Sequence, residues 1–210
     1  MSMMMMSYST SSSSIVIIVV SSSRLTKTLP SFLSPPLAKL QVDFDRRFID
    51  DIGNDCLMSV DGTDFQIPQQ GQAKKGNPFA SHKYAGKSAL QYELGVDIRG
   101  GNLVWIQGPY PAGKWPDIKI FNAILTNFLN RYERVEANDS YHGHPNKVKC
   151  PLNDIAPAEK LAMQARARAR HETINGRLKN WGILSQVYHH DIRRHSEVFR
   201  ACAVLIQLTI

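Results

Sequence analysis

Three acids in this 210-residue chain sit where a hard metal ion could use them. Asp61 lies in "CLMSVDGTDFQIP" (56–68), a β-rich word. Asp139 closes "ERVEANDSYHG" (133–143), a short extended piece, and Glu172 is the one acid of "RARARHETINGRLKNWG" (166–182). Acids at strand ends and on a neighbouring helix can converge at one edge of a sheet. Three carboxylates there suit an oxygen-seeking cation, principally Mg²⁺ or Mn²⁺. Two such ions, roughly 3.5–4 Å apart, activate an attacking oxygen and stabilise a leaving one in phosphoryl transfer.

The surroundings of Glu172 narrow the substrate. Between Lys160 and Arg200 there are nine basic residues and three acids, which places most of the formal net charge of +7 in one stretch. Local positive charge is what a polyanion contact needs, so Arg166, Arg168, Arg170, Arg177 and Lys179 are candidate phosphate contacts. Lys74, Lys75, Lys83 and Lys87 could add to them. The bland alternatives are a solvated helix face and an Arg168–Glu172 ion pair at i,i+4, which contributes only about 0.3–0.5 kcal/mol. Asp117 competes for a place among the carboxylates, but "PAGKWPD" reads better as the start of a helix. Asp64 and Asp97 read as solvated turn or strand residues. His142 and His144 could line a groove near Asp139. Three cysteines, far apart and without a CxxC pair, exclude a disulfide framework and the zinc-finger pattern.

The elements that must position these residues follow from periodicity. The Asp61 word reads as a strand with a bend at Asp61-Gly62 and a second extended piece after it. Residues 88–113 read as a hairpin, with Gly100 and Gly101 in its turn. Helical spacing of Ile118, Phe121, Ile124, Leu125 and Phe128 predicts a helix over 115–132. Short strands are expected at 133–139 and 146–151, a long helix over 156–184 that bends or ends at Gly176 and Gly182, and a last helix over 191–208. A mixed sheet flanked by helices is the economical α/β arrangement.

Ahead of this lies Met- and Ser-rich low complexity, residues 1–37, with a short apolar run from Ile15 to Val20. That run is too short to span a membrane, and no basic segment precedes it, so it fits a disordered tail better than a leader. Residues 38–55 read as a short helix or linker, and 56–210 as the folded domain.

Four words in order, "VDGTDFQIP", "NLVWIQGPYPAG", "EANDSYHG" and "RHETINGRLKNWGIL", resemble the DDE superfamily endonucleases, the catalytic domain of PIF/Harbinger-type transposases. The likeness runs from about Cys56 to Leu208. It implies an RNase H-like core with Asp61, Asp139 and Glu172 as a catalytic, metal-binding triad. Asp61 would then bridge two Mg²⁺ or Mn²⁺ ions, with Asp139 and Glu172 holding one each. The implied reaction is cleavage of DNA phosphodiesters at transposon ends, followed by joining through the freed 3′ hydroxyl. The implied partners are DNA, a separate Myb-like DNA-binding protein and a homo-oligomer, with no membrane. The implied location is the nucleus in a eukaryote, and otherwise the cell interior. The word "NDSYHG" departs from the glycine context usual around the second Asp, and low complexity stands where the family has a helix-turn-helix-like region. The chain also stops soon after the last family word. The expectation is therefore a nuclease or transposase core, with a truncated or domesticated DNA-binding relative that does not cut as the alternative.

Overall fold

The word expected to bend at Asp61-Gly62 is one unbroken strand, β1 (Cys56–Gln66). The structure, a computed structural model, describes residues 42–48, 56–70, 76–150 and 158–208. The low-complexity segment 1–37 lies outside them, as does most of 38–55, of which Phe44–Phe48 forms a 3-10 turn. β1 is followed by β2 (Ala89–Asp97), β3 (Leu103–Pro111), β4 (Arg134–Ala137) and β5 (Val148–Lys149). The sheet order is β3-β2-β1-β4-β5. β1 pairs antiparallel with β2 and parallel with β4, so the sheet is mixed and β1 is its centre.

The β2–β3 hairpin forms as the sequence predicts, although only Gly101 of its two glycines takes positive φ. Asp97 organises the turn. Its carboxylate accepts from the backbone N–H of Gly100 and of Asn102, the latter at 2.9 Å, and is buried rather than solvated. Asp64 is likewise buried, accepting from Ser81 Oγ at 2.5 Å. A charged residue becomes cheap to bury when local donors replace its water, and short-range periodicity does not reveal those donors.

Helices cover both faces of the sheet. The helix expected over 115–132 is shorter: α1 spans Asp117–Ala123, and a 3-10 turn follows at Leu125–Asn127 because Ile124 leaves helical geometry. Its Phe121 packs with Met58, Val60, Val104 and Val135. The opposite face is covered by α2 (Ala158–Lys179), α3 (Gly182–Ser185) and α4 (His195–Gln207). α2 runs straight through Gly176 and ends before Gly182, which opens α3 instead. Ile174 and Leu178 of α2 and Phe199, Cys202 and Ile206 of α4 meet Phe65, Tyr92, Leu94 and Val96. Each fully buried aliphatic or aromatic side chain there contributes about 1.5–3 kcal/mol. The three cysteines are buried thiols. The 3-10 turn at Phe44–Phe48 is tied to the sheet by a buried two-pronged pair, in which Arg47 Nε and Nη2 reach the Glu133 carboxylate at 2.7 and 3.2 Å.

One core acid faces α1. Glu93 is 0% exposed, accepts from Trp105 Nε1 at 3.0 Å, and lies near the Tyr141 hydroxyl and Asp117. Burial lifts its carboxyl from 4.5 to about 8. The folded chain therefore holds a proton that the unfolded chain releases, and stability falls as pH rises from about 4.5 to about 8. Glu93→Gln keeps the shape and removes the titration. The variant is expected to gain on wild type across that window, by roughly 2 kcal/mol or more near its upper end. Urea denaturation at several pH values measures this, and identical pH dependence for the two proteins would refute it.

Candidate functional site

A cavity with several polar side chains in its lining lies where β4 stops. The β1–β4 ladder ends at the Val60–Ala137 pair, and beyond it Asn138 leaves the sheet beside Asp61. Ser59, Asp61, Glu136, Asn138, Arg168, His171 and Glu172 line the opening between this strand end and α2. Strand alternation puts Asp61 on the α2 side and Gly62 on the α1 side. A side chain at Gly62 would collide with the Asp117 carboxylate, which is why glycine stands there.

Asp61 is half-buried in a central strand, and its two oxygens face amide donors. Asn138 Nδ2 donates to Oδ1 at 3.0 Å, and Asn175 Nδ2 lies 3.4 Å from Oδ2. Loss of water is the largest influence on Asp61 and raises it to about 6, with Lys83 pulling it down and the Asp117 charge pushing it up. Lys83 Nζ also donates to the Gly62 carbonyl at 2.5 Å. His171 is 3% exposed, and its ring nitrogens have no well-formed partner. Burial drops it to about 4, offset only in part by the Ser59 backbone, so the ring is neutral at pH 7.

The predicted site residues separate into two groups. Asp61 and Glu172 line the same cavity, Glu172 from the exposed side of α2. Asp139 is one residue past Asn138, exposed in the 3-10 turn Asp139–Tyr141, and is not among the lining residues. His142 binds the Asp139 carbonyl through Nδ1 at 2.8 Å, and His144 lies against the Phe121 ring, so neither histidine lines the cavity. Asp117 opens α1, as its sequence context predicts, and accepts from Gln91 Nε2 and, at 2.8 Å, from Ser140 Oγ. Of the basic candidates, Arg168 lines the cavity, Lys179 is exposed, and Arg170 and Arg177 are half-buried. The side chain of Arg166 falls outside the described residues. The ion pairs of the described residues include none between Arg168 and Glu172.

As a cation site, the cavity fits in part. The carboxylates of Asp61, Glu136 and Glu172 are hard oxygen donors of the right class. Among the described residues, however, no three His, Cys, Asp or Glu side chains stand close enough to hold one ion together. The side chain beside Asp61 is the amide of Asn138. Sequence reasoning passed over Asn138, Glu136, His171 and Asn175. Alternation along β4 was the available signal for the first two, since Glu136 and Asn138 fall on one face and Val135 on the other.

No family model, no curated protein and no solved structure matches this chain.

Removing the Lys83 charge tests the electrostatics of the cavity. In Lys83→Met, Asp61 is expected to titrate higher than about 6, by roughly half to one pH unit. Carboxyl carbon NMR of the Asp side chains reads it. An Asp61 midpoint that stays put or falls would show that Lys83 does not act on this carboxylate.

Proposed function

We propose that the chain is an RNase H-like catalytic core of DDE type, a metal-dependent nuclease or transposase domain acting on DNA. One observation carries the reading. Asp61 on the central strand and Glu172 on the long helix, far apart in sequence, line one cavity at the end of β4. The strand order β3-β2-β1-β4-β5, with β4 and β5 parallel to β1, is compatible with the RNase H-like arrangement. The four-word resemblance to PIF/Harbinger-type enzymes adds the substrate class.

On this reading Asp61 and Glu172 would hold Mg²⁺ or Mn²⁺, and Asp139 would join them only by a movement of the 3-10 turn that carries it. Such an ion, when bound, supplies Lewis-acid polarisation of a phosphoryl oxygen and a nucleophile at neutral pH. The chain's own residues do the rest. Arg168 at the rim offers a charge-assisted contact to a phosphate oxygen. His171, neutral and buried, walls the cavity without competing for a cation's charge. Arg170, Arg177 and Lys179 extend the basic surface along α2 for backbone phosphates.

A second reading has its own support. Asn138 stands next to Asp61 as a donor, where an anionic ligand would strengthen a cation site. A chain built this way suits a DNA-binding relative that does not cut.

Nicking of supercoiled plasmid in Mg²⁺ and in Mn²⁺ separates the two. The catalytic reading expects metal-dependent nicking that falls by at least about a hundredfold in Asp61→Ala and in Glu172→Ala. Nicking untouched by either substitution would sink it. Salt-sensitive DNA binding without cleavage favours the second reading. In that case Lys179→Ala should lower the slope of log affinity against log salt by about 1.

A further inference from the structure

Asn138 stands beside Asp61 at the end of β4, and the hydrogen bonds around it fix how it meets that carboxylate. Asn138 caps the 3-10 turn that follows β4. Its Oδ1 accepts from the Ser140 backbone N–H at 2.9 Å and lies 2.5 Å from Ser140 Oγ, whose single proton it shares with the Asp117 carboxylate. With the oxygen engaged on that side, the amide orientation is fixed and the NH₂ group points at Asp61, 3.0 Å from Oδ1. Asn175 approaches the other oxygen of Asp61 from α2. Asp61 is thus held by two amides. An amide NH₂ has no lone pair for a hard cation, and it occupies the direction from which one would approach Oδ1.

A second feature of the same cavity is a buried histidine, which the Ser59 backbone approaches. His171 lines it at 3% exposure with no well-formed partner on either ring nitrogen.

We propose that position 138 is the third corner of the Asp61–Glu172 centre, and that its amide keeps the native chain a weak cation binder. Asn138→Asp would turn it into a tight one. A carboxylate has the same shape. It can still cap the Ser140 N–H with one oxygen, since Asn and Asp serve equally at such positions, and present the other beside Asp61. Without a cation, the two facing carboxylates repel. With one, they form a chelating pair, completed by Glu172 across the cavity. This inference rests on the reading of Asp61 and Glu172 as cation carboxylates, and it departs from the triad implied by resemblance, in which Asp139 supplies the third group.

The test is Mn²⁺ binding to the full chain by calorimetry and by the loss of the free-ion EPR signal. Thermal melts with EDTA and with Mn²⁺ accompany it. Asn138→Asp is expected to bind Mn²⁺ at least tenfold more tightly than wild type. It should melt lower than wild type in EDTA and recover in Mn²⁺. Asn138→Ala, which removes the amide and adds no charge, should show no comparable gain. A gain in the alanine variant equal to that in Asn138→Asp would overturn the proposal, because the carboxylate would then be unnecessary. So would a tenfold loss in Asp139→Asn with no gain in Asn138→Asp, since that result makes Asp139 the corner. Asp61→Asn and Glu172→Gln distinguish the two levels of failure. If they weaken Mn²⁺ binding in wild type while Asn138→Asp adds nothing, the cation site stands and the role of position 138 falls. If they change nothing in either background, the cation reading itself fails and takes the proposal with it.

Discussion

The polar end of this molecule depends on one constraint: a carboxylate placed in the middle strand of a sheet covered on both faces. Asp61 cannot keep a full hydration shell there, and loss of water raises it to about 6. Three polar neighbours offset that cost, while the Asp117 charge adds to it. Asn138 and Asn175 donate to its oxygens, and Lys83 supplies a positive charge. The strand pairing helps as well. β4 ends at Ala137, so the ladder opens beside Asp61 and leaves room for side chains that an unbroken neighbour would exclude.

The pleat of β1 then divides the chemistry between two faces. Asp61 turns toward α2, while Gly62 turns toward α1 and admits the Asp117 carboxylate. Asp117 accepts from Gln91 and Ser140, which fastens the start of α1 to β2 and to the turn after β4. Ser140 also bonds Asn138. The two faces therefore communicate through one short 3-10 turn, and a shift of that turn would be felt by Asp61 on one side and by Asp117 on the other. Glu93, buried on the α1 side, senses the same Asp117 charge. The carboxylates at this end form a coupled set in which the position of each depends on neutral donors between them.

Much of the architecture was legible because it rests on short-range pattern. The hairpin follows from apolar runs around Gly100-Gly101, and the long helix expected over 156–184 forms as Ala158–Lys179, with Ile174 and Leu178 in the core. What escaped depends on contacts distant in sequence. Helical periodicity through Phe128 suggested a long α1, but Phe128 instead packs on Phe44 and Trp105 from outside the helix. Asp64 and Asp97 looked solvated because the donors that reach them lie on a segment or a turn that local reading treats separately. At the candidate site the cavity is lined by Asn138 and not by its neighbour Asp139. Asn138 and Asp139 are adjacent and similar in shape, but successive positions at a strand end point in opposite directions. Motif likeness favoured the acid, whereas alternation counted from Val135 puts the amide on the side of Asp61.

The same kind of geometry explains how the basic stretch 166–182 accommodates its single carboxylate. His171 and Glu172 are neighbours about 100° apart around α2, so one can be buried against the sheet while the other reaches the rim of the cavity. An ion pair with Arg168 would have been the ordinary use for Glu172. The order of charges is the weaker one, with the cation on the N-terminal side of the acid, and the described ion pairs do not include it. Arg168 and Glu172 instead line the cavity as separate groups, one suited to an anion and the other to a cation. On the proposed reading, a metal-bound phosphate would need both charges at one opening, each available to the ligand. A salt bridge between them would cancel that capacity, and its absence keeps Glu172 available to the cavity that Asp61 enters from the sheet.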